Sequence, residues 1–322
     1  ATQAFTVNAN PVAITGAGAI CPGSTLTLSD SSAGGNWSSS NISEATIGSA
    51  TGLVTGVATG TPVMTYTLPG GCFATSTVTV DAVPDVSLFT APSATSQCLG
   101  GSSVVTVNSI SLGSATYSMT YALSGANTGL DTVSVTMTSG SGSFTIPSGM
   151  LTASGSTNVT IGSIFNMTGC STTLTGSNVA TFNVYAPPTA YMVGGGGSYC
   201  AGGTGVHVTL SGSAVGTSYQ LYRDGTIAAS PVAGTSSALD FGLQTTAGSY
   251  TVSATTTATG CTNAMSDTAV ITVNALPMAY TVTGGGSYCA GGTGVSVGLA
   301  ASDTGVNYQL YIGGTASGTP FA

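Results

Sequence analysis

The feature that most constrains this chain is a long internal repeat. Gly-Gly-Gly-Ser-Tyr-Cys-Ala-Gly-Gly-Thr-Gly-Val at residues 195–206 returns letter for letter at residues 284–295. The offset, Gly195 against Gly284, is 89 residues, and the echo runs on. Tyr219-Gln220-Leu221-Tyr222 recurs as Tyr308-Gln309-Leu310-Tyr311, and Pro231 recurs as Pro320. A period of this size marks an array of domains rather than one large globule. Residues 234–276 have no counterpart before Ala322, so the array is expected to continue past both ends.

Proline divides the rest. An alternating run followed by proline occurs at Ala4 to Val7 before Pro11, Thr77 to Val80 before Pro84, Thr181 to Val184 before Pro187, and Val270 to Val273 before Pro277. Proline cannot donate to a ladder, so it closes a strand and stiffens the junction that follows. The expected units are residues 11–83, 84–186 and 187–276. Residues 1–10 read as the last strand of another unit, and residues 277–322 as an incomplete copy of 187–276.

Each unit reads as strand, turn, strand. Val206, Val208 and Leu210 face one way while His207 and Thr209 face the other, the period-two pattern of a half-buried strand. Similar short runs fall at Ser24 to Leu28, Val63 to Leu68, Tyr117 to Leu123, Thr132 to Met137, Tyr219 to Tyr222 and Tyr250 to Ala254. β-Branched and aromatic runs split by Gly and Ser predict an all-β tandem array of Ig-like antiparallel β-sandwich domains with essentially no helix.

The cysteines follow the same division. Cys21, Cys98, Cys200 and Cys289 each come shortly after a unit's opening proline, and Cys72, Cys170 and Cys261 each precede a unit's last strand. Small sandwiches have small cores and gain from a covalent tie. The expected pairs are Cys21–Cys72, Cys98–Cys170 and Cys200–Cys261, with Cys289 unpaired in this segment. A second arrangement stays open: the two cysteines of one sandwich can lie at opposite ends, which would give Cys21–Cys170 and Cys98–Cys261 instead. Disulfides at this regularity point to an oxidising, extracellular or cell-surface setting.

Composition removes several functions. The chain has one Lys or Arg, nine Asp or Glu, a net charge of -8 and only 3% charged residues. A single cation, Arg223, cannot hold a phosphate backbone or an anionic bilayer, so neither nucleic acid nor direct membrane insertion is expected. Mean hydropathy is +0.41, yet no run of about 18 apolar residues is present to span a bilayer. Ala1-Thr2-Gln3 does not open a signal peptide. Sheet edges normally carry charges that block strand addition. With so few, exposed edges are expected to be covered by neighbouring units, by other copies or by carbohydrate.

The sequence offers little reactive chemistry. Gly18-Ala19-Ile20-Cys21-Pro22-Gly23-Ser24-Thr25 has the glycine spacing of a phosphate loop without its Lys or a following helix. His207 is the one histidine, and its repeat equivalent is Ser296, so it reads as a solvated side chain. No Cys-x-x-Cys pair, calcium loop or serine elbow occurs, so no catalytic residue, cofactor or metal is expected. Trp37 is expected in the core near a disulfide rather than stacked on a sugar. Asp224 beside Arg223 reads as a weak local ion pair.

Residues 14–80, with Gly34-Gly35-Asn36-Trp37-Ser38-Ser39-Ser40-Asn41 and Thr51-Gly52-Leu53-Val54-Thr55-Gly56-Val57, resemble the bacterial Ig-like group 2 domain. The Ser-Tyr-Cys-Ala-Gly-Gly-Thr-Gly-Val repeat with Tyr-Gln-Leu-Tyr is similar to modules of giant Bacteroidota cell-surface proteins and gliding-type adhesins exported by the type IX system. The resemblance implies a structural or adhesive segment of an extracellular fibre or giant adhesin, without catalysis. Its partners would be other domains or copies of the same fibre, with surface glycans as a further partner. Two alternatives remain. One is a glycan-binding module using Tyr199, Tyr219 and Tyr222; the other is a set of spacers for a secreted enzyme whose catalytic domain lies elsewhere. The resemblance also brings an O-glycosylation pattern, Asp-Ser/Thr followed by a small apolar residue or Thr. It fits Thr132 in Asp131-Thr132-Val133 and Thr268 in Asp267-Thr268-Ala269.

Overall fold

A computed structural model describes residue 3 and residues 7–322. The strand expected at Ala4 to Val7 therefore lies almost wholly outside the described residues. The described chain is strands and turns, with one 3-10 turn at Ser148–Met150 as its helical element. It divides into two compact units, Ala1–Pro187 and Pro188–Ala322.

Residues 84–186 show the layout most fully. One sheet holds Ser103–Ser109 between Ser141–Ile146 and Phe89–Ala94. The facing sheet runs Gln97–Cys98, Val179–Tyr185, Gly155–Phe165, Thr116–Gly125 and Gly129–Thr136, with Ser171–Thr173 also on Gly155–Phe165. Alternate side chains of the two sheets meet in one core that includes Val105, Met119, Tyr121, Ile161 and Phe182. Phe89–Ala94 contains Pro92 and lies at an edge, where its register against Ser103–Ser109 slips between Thr106 and Asn108. That is where a residue without an N–H does least damage.

Residues 187–276 repeat the plan. Val193–Gly195, Val206–Leu210 and Leu239–Gln244 form one sheet; Gly197–Cys200, Ala269–Asn274, Gly248–Thr256 and Thr217–Arg223 lead the other. Val208, Leu210, Tyr219, Leu221, Tyr250 and Val252 fill the space between them. Val208 and Leu210 are fully buried and His207 is exposed, the alternation expected from the sequence. Residues 14–80 form a smaller version around Leu28, Trp37, Val54, Met64, Tyr66 and Val78. Their last strand, Thr79–Val80, pairs with Ala19–Ile20, and Val80 also bridges to Gly60. The chain is thus an all-β array of Ig-like sandwiches.

Candidate functional site: the cysteine-bearing ends of each sandwich

One constellation recurs in every sandwich, and it is built from the cysteines. Three early cysteines, Cys21, Cys98 and Cys200, end or directly follow a short strand that runs parallel to the last strand of the same sandwich. Ala19–Ile20 pairs with Thr79–Val80, Gln97–Cys98 with Val184–Tyr185, and Gly197–Cys200 with Ile271 to Asn274. The amides of Leu99 and Ala201 then donate to the carbonyls of Tyr185 and Asn274, each at 2.8 Å. A tight turn follows every time. The Cys200 carbonyl accepts from the Gly203 amide at 2.9 Å, with Gly202 at φ +82°. This is the type II turn that needs a positive φ at its third position. Cys21, Cys98 and Cys289 close the same turn. The early cysteine therefore sits at the trailing end of its sandwich, where the last strand leaves.

The later cysteine sits in a hairpin. The carbonyls of Cys72, Cys170 and Cys261 accept from the amides of Leu68, Asn166 and Thr256, at 2.9, 2.9 and 2.8 Å. A glycine with positive φ precedes each cysteine: Gly71, Gly169 and Gly260. These hairpins touch the linker that leads into their own sandwich. Asn166 Nδ2 donates to the Ala82 carbonyl and Thr172 Oγ1 to the Pro84 carbonyl. Asn263 Nδ2 donates to the Pro188 carbonyl. The later cysteine is therefore at the leading end.

This placement decides the pairing. Cys21 is bonded to Cys170, 149 residues away with Cα atoms 5.4 Å apart. The expected Cys21–Cys72 and Cys98–Cys170 bonds are not formed, because in each pair one cysteine sits at the trailing end and the other at the leading end of the same sandwich. Cys98 and Cys261 are each disulfide-bonded, while Cys72, Cys200 and Cys289 are thiols, so Cys200–Cys261 is not formed either. The Cys21–Cys170 bond instead ties the trailing end of residues 11–83 to the leading end of residues 84–186. In the chain-entropy description, closing a loop of that length restricts the unfolded chain by about 5 kcal/mol. The sequence itself marks the two classes, Cys-x-Gly at the trailing end and Gly-Cys at the leading end.

Elsewhere the structure corrects details. His207 has a partner: its Nδ1 lies 2.8 Å from Asp240 Oδ2 on the adjoining strand, with both side chains about half exposed. The hydrogen bond from His207, aided by the Gly242 amide, holds the Asp240 carboxyl below its ordinary value. No cluster of three or more metal-ligating side chains occurs among the described residues. Tyr199, Tyr219 and Tyr222 do not form an exposed platform, since Tyr219 is fully buried and its hydroxyl accepts from the Ala214 amide at 2.9 Å. The Tyr199 hydroxyl is tied to the Thr245 carbonyl. Trp37 is buried against Tyr66, with ring centroids 4.8 Å apart, in a core whose own two cysteines are not bonded to each other. Arg223 and Asp224 are 4.0 Å apart at the surface.

Thr132 and Thr268 are both exposed. Thr132 borders an open depression of about 460 Å³ with Thr120, Leu130 and Asp131. A second depression of about 380 Å³ is lined mainly by apolar and hydroxyl side chains, among them Leu88, Phe89 and Ile110. Burial and the nearby Asp131 carboxylate push the Tyr121 hydroxyl up to about 12, which keeps it protonated.

The class defined by this geometry is a tandem array of Ig-like sandwiches with a disulfide between neighbours. No protein-family model matches the chain, and no curated protein does. Among solved structures it is similar to the FN1–FN3 domains of chicken CNTN1, at 10% identity and a TM-score of 0.31, covering 80% of this chain and 96% of that one. It is also similar to the I9–I11 tandem from titin, at 10% identity and a TM-score of 0.26, covering 82% and 99%. The fibronectin(III)-like modules of Clostridium thermocellum CbhA are similar at 14% identity and a TM-score of 0.27, covering 58% and 91%.

Proposed function

We propose that the chain is a structural or adhesive segment of an extracellular bacterial surface fibre or giant adhesin, and that it carries no catalysis of its own. The observation that supports this reading most directly is the Cys21–Cys170 bond. A bond within one sandwich would protect that sandwich alone. A bond between neighbours restrains the junction, which is the weak point of an array under load. Disulfide chemistry fits an oxidising exterior, and the motif resemblance fits export by the type IX system. The glycan-platform alternative loses Tyr219 to the core. Carbohydrate attached at Thr132 and Thr268 would hydrate a surface with almost no charge and shield open strand edges.

Single-molecule pulling from the two termini tests the mechanical role. In a chain carrying Cys98→Ser and Cys261→Ser, the loop between Cys21 and Cys170, a sequence separation of 149, stays hidden from the applied force while that bond is intact. Reduction should then release about 500 Å of further extension at roughly 3.4 Å per residue. Equal extension with and without reductant would overturn the reading. Protease shaving of the producing cells tests surface display, and intact-mass measurement on the shaved peptides tests sugar on Thr132 and Thr268.

A further inference from the structure

Hydrogen bonds accompany the Cys21–Cys170 bond across the junction, and they use neither sulfur. The Asp81 amide donates to the Ile20 carbonyl at 2.8 Å, which fixes the residue beside Cys21 against the start of the linker. One residue on, the Ala82 carbonyl accepts from Asn166 Nδ2 at 2.7 Å. Oδ1 of the same Asn166 accepts from the Cys170 amide at 2.9 Å and from the Thr168 amide at 3.1 Å. Three hydrogen bonds thus lead from Ile20 to Cys170. Another braces the end of the linker, where Thr172 Oγ1 donates to the Pro84 carbonyl at 2.8 Å. The position repeats: Asn263 follows Cys261 by two residues, as Thr172 follows Cys170, and it donates to the Pro188 carbonyl at 2.8 Å.

We propose that Asn166 and Thr172 are positioning residues for the oxidation of Cys21 and Cys170. They clamp the linker to the Cys170 hairpin, so the two thiols already face each other in the reduced chain. Oxidation by a small-molecule disulfide such as oxidised glutathione then takes two exchanges. One thiol loses its proton, and its thiolate attacks the oxidant and releases one glutathione thiolate. The second thiol does the same to the mixed disulfide and releases the other. Two protons and two electrons leave the protein, and the oxidant's sulfur–sulfur bond breaks as the Cys21–Cys170 bond forms. A short flexible linker alone holds two groups at an effective concentration of about millimolar. Each clamping hydrogen bond raises that by up to about tenfold. The clamp also selects the partner, because it brings Cys170 to Cys21 and not to Cys98 at the other end of the sandwich. The proposal rests on the junction bond that supports the reading above, but the two fail separately. Pulling asks what an intact bond does under load; positioning concerns what brings its sulfurs together.

The test is to equilibrate the full chain in mixtures of reduced and oxidised glutathione, alkylate the thiols, and quantify the Cys21–Cys170 peptide by mass spectrometry. Thr172→Val deletes the donor at nearly constant shape. Asn166→Asp removes the Nδ2 donor and keeps an oxygen for the hairpin amides. Each should lower the equilibrium constant for forming the bond by about tenfold, or about 30 mV. Thr172→Ser, which keeps a hydroxyl donor, should stay at the wild-type value. The fraction of Cys98 and of Cys261 held in disulfide should be unchanged in every variant, which separates lost positioning from a lost fold. An unmoved Cys21–Cys170 equilibrium in either Thr172→Val or Asn166→Asp would overturn the proposal. So would a fall that Cys98 and Cys261 share equally, or a Thr172→Ser chain as impaired as Thr172→Val.

Discussion

Residues 187–276 and residues 277–322 begin with nearly the same text and end in different states. Val208 and Leu221 are fully buried, whereas their copies Val297 and Leu310 are 49% and 41% exposed. The strand Gly197–Cys200 forms in the first and has no equivalent in the second. What survives in both is local. The hairpin-like pairing of Val193–Gly195 with Leu210 to Val208 reappears as Val282–Gly284 with Leu299 to Val297. The turn after the cysteine is also kept, with Gly202 and Gly291 at φ +82° and +86°. What is lost needs the strands that residues 234–276 supply in the first copy, Leu239–Gln244 to one sheet and Gly248–Thr256 and Ala269–Asn274 to the other, and that have no counterpart among residues 277–322. The repeated sequence sets turns and strand edges by itself, but burial is a property of the completed pair of sheets.

The largest test of this contrast is a tyrosine that both copies share. The Tyr219 hydroxyl accepts from the Ala214 amide, and the Tyr308 hydroxyl from the Asp303 amide at 2.8 Å. The hydrogen bond is the same, but only the Tyr219 ring lies in a core. Tyr219→Ala should cost about 4 kcal/mol, as for other large buried aromatic side chains. Tyr308→Ala should cost about 1 kcal/mol, the worth of the hydrogen bond. Hydrogen exchange resolved to each copy, with urea as the perturbant, reads the two separately. Equal losses would mean that residues 277–322 hold a core of their own.

A glycine substitution should instead treat the copies alike. Gly195 and Gly284 have φ of +83° and +85°. A Cβ at either would strike the backbone carbonyl opposite, of His207 or Ser296. Gly195→Ala and Gly284→Ala should therefore each cost about 2 kcal/mol of local stability, from backbone strain and crowding together. The shared cause lies in the strand pair that both copies retain. A loss confined to residues 187–276 would show that the pairing at Val282–Gly284 is not stable without the second sheet.

The same division explains what the sequence made legible. Alternation placed Val206 to Leu210 and Tyr219 to Tyr222 in strands, because period two is a local property. The two-residue strands Ala19–Ile20 and Gln97–Cys98 carry no pattern of their own. They exist because a last strand some 60 to 90 residues later lies alongside. Phe89–Ala94 was hidden by Pro92, which an edge strand tolerates at a bulge. The cysteine pairing failed for a related reason. Spacing assigned each cysteine to a unit, but bonding depends on which end of the sandwich it occupies, and that follows from strand pairing. The Asp240 partner of His207 was missed because it comes from a strand 33 residues away.

The smallest test uses that pair, which residues 277–322 cannot form because Ser296 stands where His207 does. Asp240 is held below the ordinary carboxylate range, first by the His207 hydrogen bond and then by the Gly242 amide. A carboxyl depressed in the folded state contributes stability above its unfolded value of about 4, and that contribution is lost as pH falls through the lower folded value. His207→Ser makes residues 187–276 resemble the copy at this position and removes the first cause. The Asp240 carboxyl should then titrate nearer its ordinary range in an NMR pH series, leaving only the Gly242 amide to lower it. Both side chains are about half exposed, so the stability difference between wild type and variant should be at most about 0.5 kcal/mol near neutral pH. It should shrink as pH falls through the folded Asp240 value, where the carboxylate that faces His207 is lost. An unmoved Asp240 titration would show that the Gly242 amide alone sets the carboxyl. A difference that persisted once Asp240 is fully protonated would show that His207 acts through some group other than Asp240.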